Sequence, residues 1–363
     1  MQKNSYVCVV FCAAFRKSSA GSSKKLRIFF PFIHPEVTKS MAYALDYLGH
    51  ILVLPGKSFA PTEPGPTIAY FSNVPEDAYT YPFYYPERIA RDNLPPNIEI
   101  IENDEIIENP PDVLFITCTP VERDVLVHLW SRFKDNGKTK LAHFTGVDVS
   151  PYTTYITETV KNILVTDNTF HKWAKNINST CNIVRWIPWI NFDHYKYKGP
   201  SDCLEMGCYI IDFKKRIPND FEMSMRFKNY YNRRCPRKPV NLTFNNDILQ
   251  KDLPNVMHNT IATLHIKHVE GFGYSIIESL AMGRPVFLFR EFAKYKRYEK
   301  WCIEGKTCFY VSSAEEFAKK LYRLVVDKAY RYHIQETAAK TIREIINNEE
   351  QAQILQTFLD NLQ

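Results

Sequence analysis

The chain has 363 residues, enough for two α/β domains of ordinary size, and its 45% hydrophobic content supplies two buried cores. A formal charge of +6 is mildly basic, which suits an anionic ligand, and no dense basic tract of the kind that binds nucleic acid occurs. The nine cysteines are odd in number, lack a C-x-x-C pair and accompany no H-E-x-x-H, so they read as reduced thiols of a cytosolic protein and not as a zinc site.

Residues 1 to 24 read as an extension. Residues 6 to 15 are apolar and follow Lys3, too short a run to span a bilayer but long enough for a signal-peptide core. Arg16 and Lys17 come next, where a secretory signal prefers small neutral residues, so a loosely attached segment ending in Ser and Gly is expected. Residues 26 to 31 then read as a strand, 39 to 48 as a helix closed by Gly49, and 51 to 54 as a second strand, which makes one βαβ unit. Residues 55 to 97 are rich in Pro, Tyr and Phe. Short strands follow at 98 to 101, 113 to 117, 141 to 144 and 163 to 166, alternating with helices at about 121 to 134, 152 to 161 and 169 to 176.

The second half begins with a strand at 207 to 212 followed by Phe213-Lys-Lys-Arg-Ile217. Lys214, Lys215 and Arg216 cannot all face one side, because adjacent side chains diverge on a strand or a helix. Strands at 239 to 244 and 261 to 266 lead into the run His268-Val-Glu-Gly-Phe-Gly-Tyr-Ser-Ile-Ile-Glu278. Gly271 and Gly273 permit a turn without Cβ obstruction, and a helix starting near Tyr274 offers the N–H groups of Ser275, Ile276 and Ile277 to a phosphate. Glu270 lies just before that start and Glu278 in its first turn, so both carboxylates face one side; alternatively, one is a solvated loop charge and the other complements the helix dipole. Gly283 suits a left-handed helix end, Pro285 resists continuation, and 286 to 289 is a short apolar strand. Residues 294 to 300 interleave cations and aromatics as a solvated helix face does. After a strand at 307 to 311, Ser312 or Ser313 caps a helix over 314 to 326, and 328 to 361 continue as amphipathic helix.

The run from His268 to Phe289 closely resembles the E-x7-E signature of retaining glycosyltransferases with the GT-B fold, family 4. There the motif commonly reads Glu-Gly-Phe-Gly-Leu-Pro-x-x-Glu-Ala-Met-Ala-x-Gly-x-Pro-Val. Residues 44 to 53 resemble that family's first helix and its Leu-x-x-x-Gly-His-x-Val ending, and residues 185 to 195, with Pro188, resemble its Ile-Pro-Asn-Gly-Ile-Asp-x-x-x-Phe crossing between domains. The resemblance implies an α/β protein of the GT-B fold, two Rossmann-like domains facing across a cleft. Residues 25 to 190 would form the acceptor domain, with the terminal helix of about 346 to 363 packed back on it, and 191 to 345 the nucleotide-sugar donor domain.

By the same resemblance, Glu270 orients the sugar hydroxyls, Glu278 accepts from the ribose, and Gly271, Phe272, Gly273, Tyr274, Ser275 and Ile276 border the donor. Lys215 and Arg216, with Lys214 as the remaining candidate, stand where the family neutralises the departing diphosphate, although the family's spelling there is Gly-Arg-x-x-x-x-Lys-Gly. Lys267 touches the donor or borders the cleft, in place of the family's Pro-Ser. Gly146 and Asp148 match a His-Gly-x-Asp-like segment that meets the sugar or diphosphate, while His143 falls two positions early and is either part of that site or a core histidine. The first strand is followed by Phe32-Ile-His-Pro-Glu36 in place of the family's glycine pair, and the aromatic segment at 55 to 97 either faces the acceptor or covers the sheet.

The implied reaction is transfer of a hexose, from GDP-mannose or UDP-glucose, to a hydroxyl of a glycan or glycoprotein acceptor with retention. No cofactor and no metal are expected, because the chain lacks the Asp-x-Asp by which the other glycosyltransferase fold holds one. The remaining expectations are no nucleic-acid partner, no transmembrane segment, a homodimer as a possible assembly, and a cytoplasmic location. The abundance of Lys, Asn and Tyr resembles a virus-encoded, chlorovirus-like member, which would act in the host cytoplasm. The same fold also serves nucleotide-sugar epimerases, phosphorylases and silent nucleotide-sugar-binding proteins. Hydrolase, P-loop and dehydrogenase readings lack G-x-S-x-G, G-x-x-x-x-G-K-[ST] and G-x-G-x-x-G.

Overall fold

The computed structural model describes residues 24–30, 35–55, 95–101, 103–117, 132–145, 160–166, 171, 175–176, 180–210, 213–244, 248, 251–268, 272–293 and 300–363. The N-terminal extension, the aromatic segment, the loop after the first strand and the cationic run at 294 to 300 lie wholly or mainly outside these residues, as do the helices expected between 121 and 176.

The first half contributes β1 (Arg27–Phe29), α1 (Pro35–Leu48), β2 (Ile51–Pro55), β3 (Ile98–Ile101), α2 (Asn103–Glu108), β4 (Val113–Thr117), β5 (Lys140–Thr145), β6 (Asn162–Val165) and β7 (Asn182–Arg185). Its seven strands pair in parallel in the order β3-β2-β1-β4-β5-β6-β7. Both faces of the inner strands are covered, which is why β2 and β4 read as continuous apolar runs without alternation. On one face Phe30 meets Phe115 and Phe144 edge-on, with ring centroids 5.3 and 5.4 Å apart, and Phe144 meets Trp186. On the other, Phe29, Val53, Leu114 and Ile116 pack with Phe133 and Val160. Gly49 ends α1 at φ 78°, and the N–H groups of Gly49 and His50 return to the carbonyls of Asp46 and Leu45, a Schellman closure.

The second half contributes β8 (Met206–Cys208), α3 (Phe213–Arg216), α4 (Pro218–Arg234), β9 (Leu242–Phe244), α5 (Leu253–His258), β10 (Ala262–His265), α6 (Tyr274–Ala281), β11 (Val286–Phe289), α7 (Arg290–Ala293), β12 (Cys308–Val311), α8 (Ala314–Val326), α9 (Lys328–Ile345) and α10 (Asn348–Asp360). Five strands pair in parallel in the order β12-β11-β10-β8-β9. The strand expected over 207 to 212 is shorter, and Gly207 leaves room for the Tyr209 ring, into which a Cβ at 207 would run.

The helix expected without interruption over 328 to 361 is two helices. Ile346 is extended, at φ −103° and ψ 105°, and the Asn347 side chain accepts from the N–H groups of Glu349 and Glu350, so a new helix starts there. That helix, α10, lies on the first sheet: Leu355, Phe358 and Leu359 join the cluster of Phe30, Phe115 and α1. Gln356 Oε1 stands 3.0 Å from His50 Nε2, and Asn182 donates to the Phe358 carbonyl. Phe358 is fully buried, so Phe358→Ala is expected to lower the unfolding free energy by about 3–5 kcal/mol, measured by urea denaturation.

Candidate functional site

β8 has β10 on one side and β9 on the other. From β8 the chain runs through α3 and α4 to β9; from β10 it runs through α6 to β11, in the opposite direction along the sheet. Phe227 and Tyr231 of α4 pack with Phe287 and Phe317 on one face, whereas Ile276, Ile277 and Leu280 of α6 pack with Val286 and Leu288 on the other. Two neighbouring strands thus send their connections to opposite faces. Outside their C-terminal ends this leaves a crevice, the place where doubly wound sheets bind ligands.

The motif run forms one wall of that crevice. Gly273 precedes α6 at φ 80° and ψ 47°, a left-handed conformation that glycine adopts without steric cost. Its carbonyl accepts from the N–H groups of Ile276 (3.0 Å) and Ile277 (3.2 Å), and both side chains are fully buried. This corrects the expectation that those two amides receive a phosphate; an anion at this helix start must use the amides of Gly273, Tyr274 and Ser275. Ser275 Oγ lies 3.3 Å from His265 Nδ1, which draws the first turn onto the end of β10. The Phe272 ring packs against Tyr274 and Trp301, and the Tyr274 hydroxyl donates to Ser40 Oγ of α1 at 3.3 Å. Ser40 in turn donates to the Trp189 carbonyl, so the motif reaches the first half of the molecule.

Glu278 is the fifth residue of α6, in its second turn and not its first as expected, because the helix starts at Tyr274. Only 4% of it is exposed, and the Tyr195 hydroxyl donates to its Oε1 at 2.7 Å. It is therefore not an exposed helix-dipole acid. Glu270, Gly271 and Asp148 lie outside the described residues.

The connection that follows β8 is basic. In α3, Phe213 is buried against Phe221 and anchors the turn, while Lys214 and Lys215 are exposed; the Arg216 side chain lies outside the description. On the motif's own connection, Lys267 is half-buried just beyond β10. One pair escaped the sequence reading: Asp220, in the first turn of α4 and 3% exposed, accepts from both the backbone N–H (2.8 Å) and the Nδ1–H (2.7 Å) of His268. The partners are 48 residues apart, and no local pattern announces them.

His143 does not join this site. It sits within β5, fully buried, donating Nδ1–H to the Ile116 carbonyl at 3.0 Å, and its Nε2 has no partner among the described residues. Burial pushes the imidazole down to about 4. This favours the core reading over the catalytic one. Among the described residues no three His, Cys, Asp or Glu side chains converge as a metal would require, six cysteines are free thiols, and no helix is long and apolar enough to cross a membrane.

No protein-family model matches the chain. No curated protein matches it either. Solved structures do. HepE from Anabaena, in complex with UDP and glucose, is 10% identical with a TM-score of 0.60, over 93% of this chain and 100% of HepE. Sucrose-phosphate synthase from Thermosynechococcus elongatus is 11% identical with a TM-score of 0.58, over 93% and 98% of the two chains. A TarM variant from S. aureus, in complex with Fondaparinux, alpha-GlcNAc-glycerol and UDP, is 11% identical with a TM-score of 0.53; the match covers 69% of this chain and spans 55% of TarM. At such identities the likeness is one of fold. That fold is GT-B, a mixed α/β architecture built on parallel sheets.

Two outcomes follow from this geometry. The unfolded chain binds a proton at His143 near pH 6.5, whereas the folded chain does so only near 4, so stability falls as pH drops through that window. His143 accounts for up to roughly 3 kcal/mol of that loss, and in His143→Phe this part of the pH dependence of urea unfolding should vanish. Gly273→Ala should cost about 1–2 kcal/mol through the left-handed backbone alone, read from the same denaturation curves at pH 7.

Proposed function

We propose that the protein is a glycosyltransferase that moves a hexose from a nucleotide-diphosphate sugar to a hydroxyl of a glycan or glycoprotein acceptor, with retention of anomeric configuration. The observation that carries this reading is the position of the E-x7-E run: its described part, from Phe272 to Glu278, borders the switch-point crevice of the second sheet, with a left-handed glycine at the helix entrance and a buried glutamate behind it. The fold supports it, since HepE and TarM, which share the architecture, were both solved with UDP bound. Among the donors expected from the motif, those two complexes favour the uridine nucleotide, UDP-glucose, over GDP-mannose.

In this reading the bond between sugar C1 and the diphosphate oxygen breaks through an oxocarbenium-like state. The acceptor oxygen attacks from the face the diphosphate leaves. Lys215 and Arg216, assisted by Lys214 and Lys267, and the amides at the α6 entrance counter the charge that grows on the leaving oxygen. Glu270 orients the sugar hydroxyls, and Glu278, braced by Tyr195, turns toward the ribose. No covalent nucleophile is assigned and no metal is invoked, because the cations and the helix start supply the positive charge. His143, enclosed in the first sheet, takes no part. A cytoplasmic site of action belongs to the same proposal.

Titration calorimetry with UDP-glucose, GDP-mannose and UDP-N-acetylglucosamine tests the donor. One of them is expected to bind, and binding of none removes the reading. Donor turnover in Glu270→Gln and Lys215→Ala separates an enzyme from a silent binding protein. Each variant is expected to lose roughly 100-fold or more in kcat, as removal of one charge-stabilising group does elsewhere; wild-type turnover in both would reject the catalytic assignments. A free sugar formed without acceptor points to the epimerase alternative, and dependence on orthophosphate to a phosphorylase.

A further inference from the structure

The Asp220 and His268 pair links the two connections that flank the crevice. Asp220 belongs to the connection that follows β8, and His268 to the connection that follows β10, the two neighbouring strands whose chains part at the switch point. Asp220 is nearly sealed from solvent, whereas half of the His268 side chain is exposed. The Phe292 ring lies edge to face with the imidazole at 6.0 Å and limits its tilt on one side.

An ionised carboxylate only accepts, so its bond to Nδ1 fixes the proton there and leaves Nε2 as the second nitrogen of a ring that is half exposed. The second bond, from the His268 backbone N–H to the same Oδ2, locks the main chain of that residue as well. A tie needed only to hold a loop would be met by the backbone bond. The additional bond from the ring holds an imidazole in one tautomer and one orientation, as a carboxylate does behind a working histidine.

We propose that His268 is a phosphate-contacting residue for the donor and that Asp220 is the positioning residue behind it; this rests on the glycosyltransferase reading above. With the Asp220 carboxylate at Nδ1 and a diphosphate oxygen at Nε2, the doubly protonated ring satisfies both acceptors. As the C1–O bond breaks, its electron pair moves onto the diphosphate oxygen. The charge-assisted bond from Nε2–H then strengthens without a proton leaving the ring. The acceptor oxygen forms the new bond to C1, and its proton passes to the departing diphosphate. Lys267, adjacent to His268, adds a second positive charge on the same connection.

The test uses the full chain with UDP, GDP and uridine as probes, by titration calorimetry. His268→Ala is expected to weaken binding of the preferred diphosphate roughly 10- to 100-fold, leave binding of the bare nucleoside unchanged, and lower kcat more than it raises KM. Asp220→Asn keeps an acceptor but removes the charge, and is expected to show a smaller loss in the same direction. Nitrogen-15 spectra of the ring in the wild-type protein give a readout that a loop tie would not move: Nδ1 protonated without ligand, and Nε2 also protonated once the diphosphate binds. Wild-type diphosphate affinity and kcat in His268→Ala, or a ring whose Nε2 stays unprotonated in the complex, overturns the assignment while the glycosyltransferase reading stands. If the wild-type protein binds no nucleoside diphosphate and no nucleotide-sugar, both fall together.

Discussion

A parallel sheet buries every strand between helices, so its backbone polar groups are satisfied inside the ladder and chemistry is left to the strand ends. In the second half of this protein that constraint acts with one addition: β8 lies between β9 and β10. The chain must therefore leave two adjacent strands in opposite directions. Gly273 at the entrance to α6, Lys214 and Lys215 of α3, Lys267 and the Asp220 and His268 pair all lie on the connections that follow those two strands, although they span residues 214 to 273.

Two buried carboxylates then stiffen the arrangement. Burying an ionised carboxylate without a partner is costly, and removal of one partner leaves the charge uncompensated. Glu278 is held by Tyr195, which comes from the segment joining the two halves, and Asp220 is held by His268 from the neighbouring connection. Each bond joins segments far apart in the chain, by 83 and 48 residues. Three separate stretches are in this way fixed against one another around the crevice.

Much of this was legible in the residues, for reasons that differ between elements. Apolar runs marked β2, β4 and β11 because inner strands covered on both faces carry no polar alternation. Gly49 and Gly283 marked helix ends because each takes a positive φ. Ser313 marked the start of α8 because its hydroxyl accepts from Glu316, whose carboxylate in turn accepts from Ser312. By contrast α4 was not read. Its buried positions are Asp220, Ser224, Phe227 and Tyr231, helically spaced but half of them polar, so apolar periodicity fails to report it. The Asp220 carboxylate is buried for a partner that only the folded chain supplies. The same holds for Glu278, whose partner Tyr195 belongs to no part of the motif.

The chain passes between its halves twice, at residues 186 to 195 and again at Ile346 and Asn347, and the two passages are stitched together. Asn348 accepts from the Ile190 N–H and donates to the Ile190 carbonyl, Gln351 accepts from the Ile187 N–H, and Arg343 donates to the Tyr195 carbonyl. Two tethers fastened side by side behave like a twin-leaf flexure. Each holds the other in place, and Pro188, with its fixed φ, stiffens one leaf further.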